Sequence, residues 1–370
     1  MKFSVSQQSL VKALNIVSKA VSSRTTIPIL KGILLNVSND GILTMSASDL
    51  EISIQTSIEV ENYEAGEIVL SAKLFSEIIR KLPSTTVHIN VEGENAFINC
   101  GSSDFNIVGF SSDDFPRISI DEEISDKMTF ESNTLKDMIR KTSFAASIDE
   151  ARGVLTGVLL ECKENTINMV ALDGFRMAVI RENIINGKTE NIVIPAKSIN
   201  EIGKIIAESE EVESVDVSID EKRAVFNVGG TLVTLRLLEG NFVDYNSILK
   251  SDSKLSVLVN KNDLMSCVER ASLFAKVGKN NLIKMEIKDS LMEITSQSEE
   301  GNVKEEVIIT KEGENLTIGF NSKYMIDCLR AIDDEEIKMY FNTPISPCLV
   351  RPVDGNEYEY LILPVRITNN

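Results

Sequence analysis

Hydrophobic residues fall into two rhythms that alternate along the chain. Between Ser9 and Ala20, Leu10, Leu14 and Val17 recur at helical spacing, with Lys12 and Lys19 on another face. A loop containing Arg24 follows, and then GILLNVSNDGILTMSA alternates apolar and polar positions around Asn39-Asp40-Gly41, the pattern of a hairpin whose tight turn needs a positive φ. The same order returns as a helix over 134–145 before GVLLECKENTINMVAL, and as a helix over 261–276 before IKMEIKDSLMEITSQ. A second kind of helix repeats as well. VLSAKLFSEIIRKL at 69–82, VIPAKSINEIGKII at 193–206 and IGFNSKYMIDCLRA at 318–331 each run from an extended segment through a small residue and a lysine into an amphipathic helix. Lys73, Lys197 and Lys323 open these helices at separations of 124 and 126 residues, a period of whole domains and not of solenoid turns.

Each repeat therefore predicts helix, hairpin, helix, hairpin, with the boundaries 1–121, 127–249 and 254–370. The predicted class is α+β, because the alternating strands call for antiparallel sheets with one wet face and helices on the other. Composition agrees, since 43% hydrophobic and 25% charged residues are those of an ordinary globular chain, and no apolar run approaches a membrane span. The N-terminal MKFSVSQQSLVKALNIV lacks a signal peptide's continuous apolar centre, so the expected location is cytoplasmic. Cys100, Cys162, Cys267, Cys328 and Cys348 stand singly, which predicts reduced core residues and neither disulfides nor a metal site.

Candidate chemistry is sparse. His88, the single histidine, sits in an alternating strand where a solvent-facing position is expected. Gly187-Lys188-Thr189 resembles the end of a phosphate-binding loop, but the first glycine of that motif would fall on Glu182. Asp49 and Asp173 occupy matching places after the first two hairpins and read as turn-capping carboxylates. The acidic stretches 111–114 with 121–123, and 208–213, read as solvated loops. A divalent-ion site there would make the chain a β-rich nuclease or transferase dependent on Asp113 and Asp114.

Charge changes the picture more. The chain carries −18 overall, yet the six predicted helices sum to +9, leaving −27 on everything else. Four helices set basic residues seven apart, hence on one face, as Lys12/Lys19, Lys73/Arg80, Lys197/Lys204 and Lys323/Arg330, and the third helix adds Lys136 and Arg140. A shared basic surface of this kind fits a polyanion. Lysines on mobile stems make salt-sensitive phosphate contacts without sequence readout. The absence of tryptophan and the 5% aromatic content disfavour stacking of unpaired bases, so duplex DNA is the expected ligand. A scaffold that binds peptides but not DNA is the remaining rival.

The segments MKFSVSQQSLVKAL, SSRTTIPILKGILL, SASDLEI, DDFPRI, ALDGFRMAV, GNFVDYNSIL, IGFNSKYMIDCL and LILPVRI together resemble the bacterial DNA polymerase III beta subunit family, the sliding clamps, over essentially the whole chain. The resemblance implies three domains per chain in a DNA clamp fold, with sheets outside and helices lining the inside of a ring-shaped head-to-tail homodimer. It implies no catalytic residue, cofactor, metal or membrane. It places Arg24 and Arg152 near DNA, though Gly153 and Val154 stand where the family often carries aromatics. Phe105 and Ile107 would meet Leu273 and Phe274 of the partner chain. A pocket for short peptides of the replicative polymerase, the clamp loader and other replication and repair proteins would comprise Leu155, Leu172, Gly174, Phe175, Arg176, Met177, Val243, Ile248, Asn321, Tyr324, Leu361, Leu363, Pro364, Val365 and Arg366. Val243 replaces a common family proline, and Thr368-Asn369-Asn370 extend past the usual end.

Overall fold

The computed structural model describes every residue except 23–24, 117–126, 164–165, 185–188, 210–211, 250–252, 279 and 368–370. Arg24, the acidic residues 121–123 and the tail from Thr368 thus lie outside the described residues, as do parts of the 208–213 stretch. Seven α-helices occur among them: α1 (Gln7–Val17), α2 (Ala72–Lys81), α3 (Ser132–Thr142), α4 (Ala196–Glu208), α5 (Tyr245–Leu249), α6 (Lys261–Ala275) and α7 (Ser322–Ala331). The predicted helices over 9–20 and 134–145 end sooner than expected, in the 3-10 turns Ser18–Ala20 and Ser143–Ala145. The five-residue α5 is too short for periodicity to reveal.

Side chains at the helix starts explain where the helices begin. Ser6 accepts from the Ser9 amide at 3.1 Å, Asn260 from Asn262 and Asp263, and Asn321 from Lys323, each satisfying a donor that the helix itself leaves open. Glu131 does the same for α3 through the Asn133 and Thr134 amides. Apolar faces then bury, as with Leu10, Leu14 and Val17 of α1 and Phe75, Ile78 and Ile79 of α2.

The described residues form two compact units, Met1–Lys136 with Glu201–Leu237, and Asp137–Asn200 with Leu238–Asn370. In the first, a five-stranded sheet runs Glu61–Glu64, Lys2–Ser6, Thr86–Glu92, Asn95–Cys100 and Ser103–Val108. An eight-stranded sheet in the same unit carries Thr231–Arg236 beside Ile52–Glu59, with Leu235 opposite Ile52. The second unit holds a twelve-stranded sheet in which Arg176–Asn183 pairs with Tyr358–Ile362, Met177 opposite Leu361. These strands pair antiparallel, as the alternation predicts. The units and the sequence repeats divide the chain differently, because ladder hydrogen bonds join the middle stretch to strands of both its neighbours in sequence.

Gly41 turns the first hairpin at φ 74°, and a Cβ there would come within 2.5 Å of the Tyr63 ring. His88 is exposed and shares a hydrogen bond of 2.8 Å with Ser4. All five cysteines are free and buried, and burial pushes the Cys162 thiol up to about 11.

Candidate functional site

In the second unit the strand Thr166–Leu172 ends in a turn made by Asp173. Its Oδ1 accepts from the Phe175 and Arg176 amides at 2.8 and 3.0 Å, so the carboxylate fixes the turn, as its place after the hairpin predicts. Asp49 does the same in the first unit, accepting from Glu51 and Ile52. Gly174, at φ 87°, lets the backbone reverse and leaves Phe175 half exposed.

The segment after Tyr358–Ile362 continues along this turn. Leu363 donates to the Phe175 carbonyl at 2.8 Å, and Val365 donates to the Gly319 carbonyl at 2.8 Å, which ties the 363–365 backbone to the strand leading into α7. A Cβ on Gly319 would sit 2.7 Å from the Val365 oxygen, so only glycine fits there. Beneath lies an apolar floor in which Leu172, Met177 and Leu361 are buried, with Leu155, Phe242 and Leu363 packed against it. Phe175 stacks on Tyr324 at 6.2 Å, and the Arg152 guanidinium lies 6.0 Å from the Phe175 ring centre. Val243 and Ile248 are also exposed, at 42% and 38%. Pro364 and Val365 are half buried, Arg366 is exposed, and Asn321 caps α7.

Arg176 has a different part in this site. Its guanidinium is 10% exposed and bonds Asp173 at 3.1 Å, Asp327 at 2.5 Å and the Phe144 carbonyl at 2.6 Å, while its face covers the Tyr324 ring at 4.7 Å. Burial, and then the Asp173 carboxylate, push the Tyr324 phenol upward. The result is a rigid apolar shelf of Phe175, Leu363 and Val365, with an aromatic wall held in place from behind. It can take apolar anchors of an extended chain.

The basic helix residues differ in how free they are. Lys12, Lys73 and Lys323 are exposed and their ammonium groups have no partner among the described residues. Arg80 donates to Asn15, Lys204 to Glu201 and Arg330 to Glu269, all on exposed surface. Lys197 is 82% exposed and reaches Glu150 at 3.3 Å. Lys136 bonds Asn133, and Arg140 bonds Asp333 at 2.6 Å. Lys19 departs most from the expected open cation, being 13% exposed and clasped by Glu208 at 2.8 Å. Asp113, named in the divalent-ion alternative, accepts from Ser111 within its own turn.

Exposed apolar residues stand on strand and helix surfaces in each unit. Phe105 and Val108, 39% and 68% exposed, stand on Ser103–Val108, which ends the five-stranded sheet. Ile107 is buried at 7%, although it shares its strand face with the exposed Phe105. In the second unit Leu273 and Ile308 are 63% and 80% exposed, and Phe274 is half buried. Sequence reasoning passed over Val108, Ile308, Phe242 and Asp327. The first two carried a signal, since each places an apolar residue at a wet position of an alternating strand.

Models of the DNA polymerase III beta subunit match the chain in three consecutive pieces, the N-terminal domain at residues 1–119, the central domain at 129–244 and the C-terminal domain at 246–366. The beta sliding clamp of Bacillus subtilis is 38% identical over 380 residues, covering 99% of this chain and 100% of the relative. A crystal structure of the B. subtilis DNA polymerase sliding clamp superposes with a TM-score of 0.94 at 37% identity, covering 100% of both chains. A Pseudomonas aeruginosa sliding clamp bound to griselimycin superposes with a TM-score of 0.92 at 27% identity, covering 99% of this chain and 100% of that one.

Proposed function

The chain belongs to the DNA polymerase III beta subunit family, and from that premise we propose that it is a sliding clamp, which encircles duplex DNA and tethers the replicative polymerase to it. The observation that carries this reading is the segregation of positive charge onto repeated helices in a chain of net charge −18. Three repeated domains, 1–121, 127–249 and 254–370, would form half of a ring, completed head to tail by a second copy. Two identical heterologous contacts close such a ring without leaving a free end. The helices would line the hole. Lys12, Lys73, Lys197 and Lys323 make mobile point-charge contacts with phosphates, while an acidic remainder repels DNA elsewhere. Arg24 and Arg152 belong to the same proposed DNA-facing set.

Ring closure would bring the edge strand Ser103–Val108, with Phe105 and Val108, against the Leu273, Phe274 and Ile308 surface of a partner copy. An apolar edge strand left bare invites pairing with another chain. The Phe175, Tyr324 and Leu363 shelf would take short peptides of the polymerase, the clamp loader and other DNA-processing proteins in turn. The protein does no covalent chemistry in this reading and works in the cytoplasm at the nucleoid.

Retention by topology separates this mechanism from simple affinity. Loaded onto nicked circular DNA, the protein should stay bound through a salt wash and leave rapidly once the circle is linearised. Equal retention on both forms would exclude encirclement.

A further inference from the structure

A second cleft in the first unit is built on the same plan as the Phe175 shelf. Asp49 and Asp173 each cap the two amides that follow at +2 and +3, and each amide of these aspartates donates to the +3 carbonyl, Asp49 to Ile52 at 3.1 Å and Asp173 to Arg176 at 3.2 Å. The residue after each has a positive φ, 76° at Leu50 and 87° at Gly174. Arg236 donates to the Glu51 carbonyl at 2.9 Å where Leu363 donates to the Phe175 carbonyl at 2.8 Å. Leu50, Glu51 and Arg236 therefore occupy the places of Gly174, Phe175 and Leu363. Strand register agrees, since Ile52 lies opposite Leu235 as Arg176 lies opposite Ile362.

The lining differs in chemistry. A cavity of about 600 Å³ opens here, whose lining sets Leu50, Thr234, Arg223 and Arg236 beside the acidic Glu51, Asp220 and Glu221. Arg223 and Arg236 stand directly opposite each other on neighbouring strands, an arrangement of like charges that opposes pairing unless an anion lies between or beside them. Asp220 answers only the Nε of Arg223, at 3.2 Å. The Arg236 guanidinium has no partner among the described residues. Thr234 is 8% exposed, and its Oγ1 is buried without a hydrogen-bond partner. Leu50, a non-glycine residue in left-handed conformation, holds its side chain 55% exposed at the cleft.

We propose that this cleft is a second peptide site, which takes an extended segment setting an Asp or Glu carboxylate against Arg236 and Arg223 and an apolar neighbour against Leu50. That the occupant is a peptide rests on reading the Phe175 shelf as a peptide site; the carboxylate follows from the arginines and the unsatisfied hydroxyl alone. Where the first shelf presents Leu363 to apolar anchors, the second presents Arg236, so the two select different segments. Partners carrying both kinds could be held at two points.

Methyl spectra of the full-length chain test this, with the Leu50 and Leu363 methyls reporting on the two sites. Acetyl-Leu-Asp-Leu-amide should shift Leu50 saturably. Its Leu-Asn-Leu isostere should bind about tenfold more weakly, the loss expected of a charge-assisted hydrogen bond. Arg236→Leu should reduce that discrimination to roughly one-fold, with methyl shifts elsewhere unchanged as evidence of an intact fold. Equal binding of the two peptides, or a response confined to Leu363, would overturn the proposal. So would inorganic phosphate shifting Leu50 at the same concentration as the acidic peptide, since the cleft would then be a bare oxyanion site. Acetyl-Gln-Leu-Phe-amide provides the control. A Leu363 response to it with Leu50 silent toward the acidic peptide leaves the first shelf standing and rejects the second; the reverse pattern rejects the first and upholds the second.

Discussion

Arg176 stands behind the proposed peptide shelf and not on its face. Its guanidinium is spent on Asp173, Asp327 and the Phe144 carbonyl, with Tyr324 across its face, so it braces the wall of the shelf from behind. Arg176→Met would keep the stem's packing but leave two largely buried carboxylates unpaired. The expected cost is about 3 kcal/mol, read as a lowered urea midpoint, with weaker peptide binding because Tyr324 loses its support. Glu161 makes a second residue-level case. Burial drives its carboxyl upward, but Lys163, Tyr245 and Asn168 together hold it below its ordinary value of 4.5, and burial and Glu161 in turn push the Tyr245 phenol up to about 12. A carboxyl depressed by folding stabilises the native state above its unfolded value, and that contribution is lost as pH falls through the folded one. Unfolding midpoints measured between neutrality and pH ~3 should therefore fall on the acid side, and Glu161→Gln should flatten that fall.

At the scale of elements, the opening helix turns carry charge against their own interest. Lys73, Lys197 and Lys323 sit in the first turns of α2, α4 and α7, none of which has an acidic residue there. The positive end of a helix dipole disfavours a cation, by roughly 0.3 to 1 kcal/mol. Replacing the three lysines by glutamate should thus raise thermal stability slightly while shortening retention on nicked circles severely. Loss of stability together with retention would instead make these lysines structural. The helices, hairpins and aspartate turns were legible in the sequence because caps, periodicity and turn chemistry act over a few residues. The partners that decide each side chain's freedom were not. Glu208, which pairs with Lys19, lies 189 residues away, and Asp327, which holds Arg176, lies 151 away. Likewise the shelf's floor needs Met177 opposite Leu361, a register that no local spacing encodes. The pocket residues were reachable only through family resemblance, and resemblance did not separate Phe175, which is presented, from Arg176, which is withdrawn.

For the whole molecule the question is what holds two copies together when each carries −18. Coulomb repulsion between them opposes the proposed ring, so that contact would have to draw on apolar surface, which the exposed Phe105, Val108, Leu273 and Ile308 could supply. The two kinds of contact then respond to salt in opposite directions. Added salt should screen the repulsion and tighten the proposed dimer, while it should loosen the proposed lysine contacts to phosphate. Leu273→Glu isolates the first effect. Leu273 is 63% exposed in the single chain, so the change should leave the unfolding midpoint near that of the parent. Placed in the contact, a buried unpaired carboxylate would be strongly unfavourable. Sedimentation velocity should show a monomer where the parent is a dimer, and nicked circles should no longer retain the protein. Peptide binding at Leu363 should persist, because every residue of that shelf belongs to one chain. A variant that still sediments as a dimer would place the ring contact elsewhere; one that loses peptide binding as well would mean that Leu273 supports the fold of its own unit.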